Sequence, residues 1–306
     1  MGQKVFTLPY GLEMMITGDC NTMNDSKKTV IALGMFDGVH IGHKKLVDTA
    51  VLIAKSRGLI PCVYTFSNHP QEFIGNSIAR LCTNEARCEY LHNLGVERIE
   101  MVEFTSRIRG SSPKNFVDEL IWLMNPAVIV AGFNYTFGVK KSGNAEILQK
   151  LALAQGVDAA IVQPVLVGKQ PVSSTRIRKL IEKGDVQQAQ LLLGKTHNIP
   201  GVVVESSEVH GGCINRVEPN ATIILPKNGA YICFAEFDNC LHPAIAYVEQ
   251  NTKKICLVLT NSIENLTDKN LTVRFIRSIR MDNVSDVSDT QLAADRVAVQ
   301  EYFGAF

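Results

Sequence analysis

Apolar positions along the chain follow two regimes that change near residue 195. From Val30 onward, apolar runs near 30–35, 60–66, 99–104, 127–131 and 159–165 read as buried strands, with helically spaced stretches between them. The clearest helix spans Lys44 to Arg57, where Leu46, Val47, Ala50, Val51 and Ala54 recur at three- and four-residue intervals. Glu85 to Gly95 reads as a second helix, capped from within Leu81–Asn84 and closed by glycine. A third starts at Ser112-Pro113 and runs through Phe116, Leu120, Ile121 and Leu123 to Asn125-Pro126; Trp122, the only tryptophan, lies on it and reads as packing. Such alternation predicts an α/β, Rossmann-like parallel sheet with right-handed helical crossovers and ligands at the strands' C-terminal ends. Upstream, Lys4 to Leu8 reads as an edge strand and Asp19 to Lys28 as a polar loop.

After Pro200 the runs shorten to 202–204, 222–225, 231–234, 255–259 and 271–275, separated by Gly, Asn and Pro. This pattern predicts a small antiparallel β-barrel. A final helix is expected from Ser288 to Tyr302, with Leu292, Val299 and Phe303 towards the barrel. The chain therefore divides into residues 1–195 and 196–306.

Composition narrows the class without naming a chemistry. With 306 residues, 46% apolar and 20% charged, the chain can bury a core in each part. A net charge of +1 gives no general attraction to nucleic acid or membrane, so any anion site must be local. No apolar run approaches a membrane span and Met1 to Lys28 has no signal-peptide pattern, which leads to the expectation of a cytoplasmic monomer or weak homo-oligomer. Eight cysteines show no C-x-x-C pair and read as reduced, buried thiols; no metal-ligand spacing is present.

Candidate chemistry concentrates where the predicted strands end. Gly34-Met35-Phe36-Asp37-Gly38-Val39-His40-Ile41-Gly42-His43 joins the first buried strand to its helix. Glycines there let the backbone approach a ligand, the helix N-terminus favours an anion, and His40 and His43 can offer imidazole donors to phosphate oxygens. After the next strand, Thr65-Phe66-Ser67-Asn68-His69-Pro70 uses proline to stop the strand and hold His69 at the sheet rim. Gly132-Phe133-Asn134-Tyr135-Thr136-Phe137-Gly138 alternates aromatics, some facing the core and others able to cover a flat ring, with Asn134 suited to a heteroaromatic edge. Ser173-Ser174-Thr175-Arg176 opens another helix with more hydroxyls than a cap requires, making a second anion cradle to which Arg176 adds charge.

The grouping GxFDGVHxGH at 34–43 resembles the HxGH nucleotidyltransferases, and in its longer form the bacterial FAD synthetase family, which usually also carries a riboflavin kinase domain. The segment 172–178 is similar to the family's ISSTRIR-like second signature. The 65–70 loop keeps Thr65, Phe66, His69 and Pro70 of a TFxPHP form but has Asn68 in place of a proline; the 132–138 loop matches at Gly132, Asn134, Phe137 and Gly138 with Tyr135 for a phenylalanine. The resemblance implies an adenylyltransferase that joins the adenylyl part of ATP to FMN with Mg2+, giving FAD and pyrophosphate. It implies catalytic roles for His40, His43 and Arg176, ATP contacts from Gly34, Phe36, Asp37, Gly38, Gly42, Ser173, Ser174 and Thr175, and flavin contacts from His69, Pro70, Asn134, Phe137 and Gly138.

Residues 196–306 resemble the riboflavin kinase domain at Pro226–Tyr231 and at Val273, Phe275 and Arg280, yet the kinase chemistry does not carry over. Family kinases have a GFPTAN segment where this chain reads Cys213 to Thr222, and the Glu-x-His that supplies a base is missing from the region Val258-Leu259-Thr260-Asn261. Phosphorylating a hydroxyl quickly near neutral pH needs such a base, so the kinase-like domain is expected to be degenerate. Three rivals remain: a bifunctional riboflavin kinase/FAD synthetase whose rearranged kinase site still works, a nucleotidyltransferase with another acceptor, and a flavin-binding sensor without turnover. A tRNA synthetase, which also carries a HIGH sequence, is disfavoured by the lack of a KMSKS-like loop.

Overall fold

The computed structural model describes residues 4–7, 13–16 and 27–304, apart from 74, 76, 77, 210, 211, 221, 251, 261–263, 283 and 285–287. Most of the expected loop at Asp19–Lys28, with Cys20, lies outside them, as do Ala221 and Asn261.

In chain order the first elements are β1 (Lys4–Thr7), β2 (Glu13–Ile16), β3 (Thr29–Leu33), α1 (Ile41–Arg57), β4 (Ile60–Phe66), α2 (Pro70–Phe73), α3 (Asn84–Asn93) and β5 (Arg98–Val102). They continue with α4 (Ser106–Gly110), α5 (Pro113–Met124), β6 (Pro126–Gly132), α6 (Ala145–Leu153), β7 (Asp158–Val162), β8 (Leu166–Val167), β9 (Gln170–Pro171), α7 (Ser174–Glu182) and α8 (Val186–Leu193).

Five strands form a parallel sheet in the order β5-β4-β3-β6-β7. Their near-continuous apolar character follows from burial on both faces. Val30, Ala32, Val63 and Val130 pack against Val47, Ala50 and Ala54 of α1, while Ile31, Leu33 and Ile129 pack on the opposite face against Leu120 of α5 and Leu148 of α6. The five apolar positions that predicted α1 are its buried residues. The strand order reverses between β3 and β6, so a crevice forms at the C-terminal ends of these two strands.

The remaining elements are β10 (His197–Val209), β11 (Gly212–Pro219), β12 (Gly229–Phe237), β13 (Cys240–Glu249), β14 (Lys254–Leu259), β15 (Asn270–Arg280) and α9 (Asp289–Gly304). The six strands close an antiparallel barrel in the order β10-β11-β14-β13-β12-β15. Helix α9 covers it with Leu292 and Val299, and Phe303 packs on Phe234 at 5.0 Å between ring centroids.

The structure corrects several expectations. The strand expected from Lys4 to Leu8 forms as β1 and, among the described residues, pairs with β2 in a hairpin separate from the main sheet. Residues 222–225 are not a barrel strand: Arg80 N donates to Thr222 O (3.0 Å) and Ile224 N to Arg80 O (2.9 Å), so this buried apolar run pairs with the first unit. β11 and β13 escaped notice because Asn215 and Arg216 break the apolar pattern of one and Pro243 interrupts the other. The β12–β13 turn did carry a signal, since Asp238 and Asn239 both take positive φ, as a two-residue hairpin turn requires. Trp122 is exposed rather than packed. Seven cysteines among the described residues are free thiols, but Cys240 is exposed.

Candidate active site

The turn after β3 is strained in a way its sequence did not announce. Phe36, Gly38 and Val39 have φ of +51°, +78° and +41°. For a β-branched valine this is a true outlier, costing on the order of 1–3 kcal/mol and tolerated only where surroundings over-determine it. Those surroundings are specific. Met35 O accepts from Thr65 Oγ1 (3.1 Å) and Arg87 Nη1 (2.7 Å), Gly38 N donates to Cys82 Sγ (3.2 Å), and Lys195 Nζ donates to Gly38 O (2.6 Å) and Val39 O (3.1 Å).

Helix α1 starts at Ile41, three residues earlier than the apolar spacing suggested, because His40 is its N-cap: His40 Nδ1 accepts from His43 N at 3.2 Å. That bond assigns the His40 proton to Nε2, leaving one N–H to donate. His40 and His43 stack at 3.6 Å between ring centroids, 13° from parallel, and His43 Nδ1 is buried without a partner. Burial, followed by the Lys195 cation, brings the His40 pKa down to about 4. Burial also holds His43 well below the ordinary imidazole value, helped by His40, Lys195 and Arg87. Both rings are therefore neutral donors at pH 7, and positive charge must come from other groups.

Helix α7 meets this turn. Ser173 is its N-cap, accepting from Arg176 N at 3.3 Å, and Ser174 Oγ donates to Asp37 O at 3.1 Å. A Cβ on Gly42 would lie 3.7 Å from Val172 O and 3.1 Å from the His40 ring, so the two helix beginnings abut. Asp37 is buried; its carboxylate accepts from Leu81 N (3.0 Å) and pairs with Arg178, whose Nε donates to Ala79 O (2.8 Å).

Not every candidate residue presents its side chain here. Phe36 is fully buried and can offer a ligand only backbone, and the Asp37 carboxylate is a brace rather than a free ligand group. Arg176 Nη1 donates to Val167 O (3.0 Å) and Gln170 O (3.1 Å), so it anchors the β8–β9 hairpin, while Thr175 is exposed. Phe137 belongs to the core beside Phe116 (5.3 Å) and cannot cover a flavin; the exposed aromatic of that loop is Phe133, next to exposed Asn134. Gly138 takes φ +72° against Pro113 and is a turn residue. His69 Nδ1 accepts from Gln71 N (3.1 Å), and burial together with the Arg178 charge lowers its pKa, which brings it to the Asp37–Arg178 corner. Pro70 opens α2. Asn68, the departure from proline, ties two loops together by accepting from Phe104 N (2.7 Å) and donating to Phe104 O (3.1 Å). Two cavities, of 690 and 410 Å³, open between sheet unit and barrel, and neither is lined by His40, His43 or Asn134.

Three residues were missed. Arg178 had a signal: it lies four residues after Ser174 and shares its helix face, whereas Arg176 does not. Arg87 and Lys195 had none, since each reaches the turn only through the fold.

The FAD synthetase family profile matches residues 22–176, half of the chain. The chain belongs to the FAD synthetase family. Curated relatives in Listeria monocytogenes are a bifunctional riboflavin kinase/FMN adenylyltransferase, 31% identical over 72% of each chain, and an FAD synthetase, 32% identical over 68% of this chain and 81% of that protein. A solved structure described as a macrolide-efflux protein from Streptococcus pneumoniae superposes with a TM-score of 0.82 at 27% identity, covering 92% of this chain and 95% of the other. As an FAD synthetase family member the protein is a nucleotidyltransferase. No helix among its described residues is long and apolar enough to cross a membrane.

Proposed function

We propose that the protein transfers the adenylyl group of ATP to FMN, releasing pyrophosphate and forming FAD, and that its barrel has lost riboflavin kinase activity. One observation carries the first part: the starts of α1 and α7 abut through Ser174 Oγ and Asp37 O, so two anion-favouring helix ends serve one triphosphate.

An oxygen of the FMN phosphate attacks the α-phosphorus of ATP; that P–O bond forms as the bond to the β-phosphate's bridging oxygen breaks. The nucleophile is already anionic, so catalysis is alignment and stabilisation of the departing pyrophosphate. His40 Nε2–H and the N–H of His43 donate to phosphate oxygens as neutral groups. The Ile41, Gly42, Ser174 and Thr175 amides, with the exposed Thr175 hydroxyl, hold the outer phosphates, Ser174 Oγ joins the two turns through Asp37 O, and Arg178, Arg87 and Lys195 supply positive charge around the turn. His69, Asn134 and Phe133 border the flavin.

ATP brings Mg2+ with it in this family. Among the described residues no cluster of three or more His, Cys, Asp or Glu could hold a metal, and the Asp37 carboxylate is committed to Arg178 and Leu81. The described residues make no metal cage, so Mg2+ would be held chiefly by the ATP phosphates and supply charge neutralisation there.

Loss of the kinase is supported by the sequence, where Val258-Leu259-Thr260-Asn261 offers no Glu-x-His base and Cys213 to Thr222 replaces the GFPTAN segment. The bifunctional relatives favour the second reading, a retained kinase. Incubating the protein with ATP and Mg2+ plus either FMN or riboflavin, and separating the flavins by chromatography, decides both. FAD from FMN is expected, at a rate 10²–10³-fold lower in His43→Ala. A His43→Ala enzyme of unchanged turnover contradicts the site, and FMN made from riboflavin contradicts the lost kinase.

A further inference from the structure

Three successive residues at the joint between sheet unit and barrel hold the back of the strained turn. A Cβ on Gly38 would lie 3.2 Å from Leu193 Cδ2, and one on Gly194, which ends α8 at φ +73°, would lie 2.9 Å from Ile41 Cγ2. Lys195 follows, with Nζ on the carbonyls of Gly38 and Val39 and 4.2 Å from the ring centre of Tyr90. Tyr90 is in turn fixed from the barrel side, its hydroxyl accepting from Asn198 Nδ2 at 3.3 Å on β10.

The consequence lies in the peptide plane. In a trans peptide the C=O and N–H point in opposite directions. Drawing the Val39 carbonyl towards Lys195 therefore fixes the His40 amide pointing the other way, at the extended N-cap that leads into α1. A strained Val39 does not hold this orientation by itself.

We propose that Lys195 is a positioning residue for adenylyl transfer: by clamping the Gly38 and Val39 carbonyls it fixes the peptide that leads into the N-cap of α1, and with it the aim of the His40 ring at the reacting phosphate. The proposal rests on the adenylyl-transfer reading above. It also ties the turn to the barrel, because Lys195 stands two residues before β10 and lies against Tyr90, which β10 holds through Asn198. Burial lowers the Lys195 pKa to about 8, with Cys82 opposing. The groups facing it are Tyr90 and Cys82 from the α3 side and His40 and His43 from the turn; Glu85, Glu89, Glu236 and Arg274 line the adjoining cavity.

The test uses the full chain with Lys195→Met and Lys195→Arg, FAD formation from FMN and ATP, and NMR titration of the His40 ring. For Lys195→Met, kcat is expected to fall about 10–100-fold, as misplacement of a reacting group by an ångström does, with the KM for FMN within about twofold of wild type. His40 should titrate higher than its wild-type value of about 4 once the cation is gone. Lys195→Arg should recover part of kcat, and should lack the fall in rate above pH 8 expected of the wild type as its ammonium deprotonates. A folded Lys195→Met with wild-type kcat overturns the inference, as does an Arg variant with the same alkaline fall. If neither variant folds, the wild-type pH–rate profile decides: a fall in kcat above about pH 8 supports the clamp, and a rate flat across that range overturns it. Wild-type protein that makes no FAD removes the adenylyl reading instead, and the clamp is then judged on the His40 backbone amide resonance, which should shift as Lys195 deprotonates above about pH 8 and overturns the clamp if it stays fixed.

Discussion

His40 is the N-cap of α1 and, in the adenylyl transfer proposed above, a donor beside the reacting phosphate. The roles can be separated because asparagine is as good a cap but has no imidazole. In His40→Asn the melting temperature should stay within a few degrees of wild type while FAD formation drops about 10²-fold or more; paired thermal melts and rate measurements check this. A large loss of stability would mean that the ring itself, stacked on His43, is what holds the turn. Asp37 shows the opposite case, a residue whose motif position suggested ligand contact and whose carboxylate is instead a buried partner of Arg178. From sequence, a carboxylate in a glycine turn can face either a ligand or a neighbouring helix, and only the docking of α7 decides.

At the scale of the element, the turn between β3 and α1 is a rigid device. Gly38 takes φ +78°, and a Cβ there would meet Leu81 Cβ at 2.9 Å, whereas Gly58, which caps α1 at φ +66°, has open space around it. Both alanine variants adopt an unfavourable left-handed conformation costing about 1–2 kcal/mol, but only Gly38→Ala also has to push a neighbour away. Gly58→Ala should lower stability by that amount and leave turnover alone; Gly38→Ala should lower both, as urea unfolding and steady-state rates would report. Equal turnover in the two would show that the turn tolerates movement. The strands and α1 were readable from periodicity because each buries a continuous apolar face. The start of α1 was not, because a capping histidine carries no apolar signal, and neither was the pairing of 222–225 with Arg80, whose apolar residues are the same whether they enter a barrel or meet another unit.

For the whole molecule, acid stability follows from buried imidazoles. His40 and His197 are both lowered to about 4, mainly by burial, with His197 Nε2 2.8 Å from Ile224 O, and His43 is lowered further. Between pH 6.5 and 4 the unfolded chain binds protons at these sites and the folded one does not, so stability is full above about 6.5 and is lost as pH falls towards 4. Denaturation midpoints measured from pH 7 to 4 should decline across that window, and a flat profile would show that the rings are solvated. What the sequence determined by itself was local and periodic: the α/β alternation, the barrel-like second half, and the two helix-opening motifs whose glycines and hydroxyls suit an anion. What the tertiary structure alone decided was which charges stand at the turn. Arg87 and Lys195 come from remote segments, and their partners at the turn are backbone carbonyls, which every residue type possesses and no sequence pattern marks.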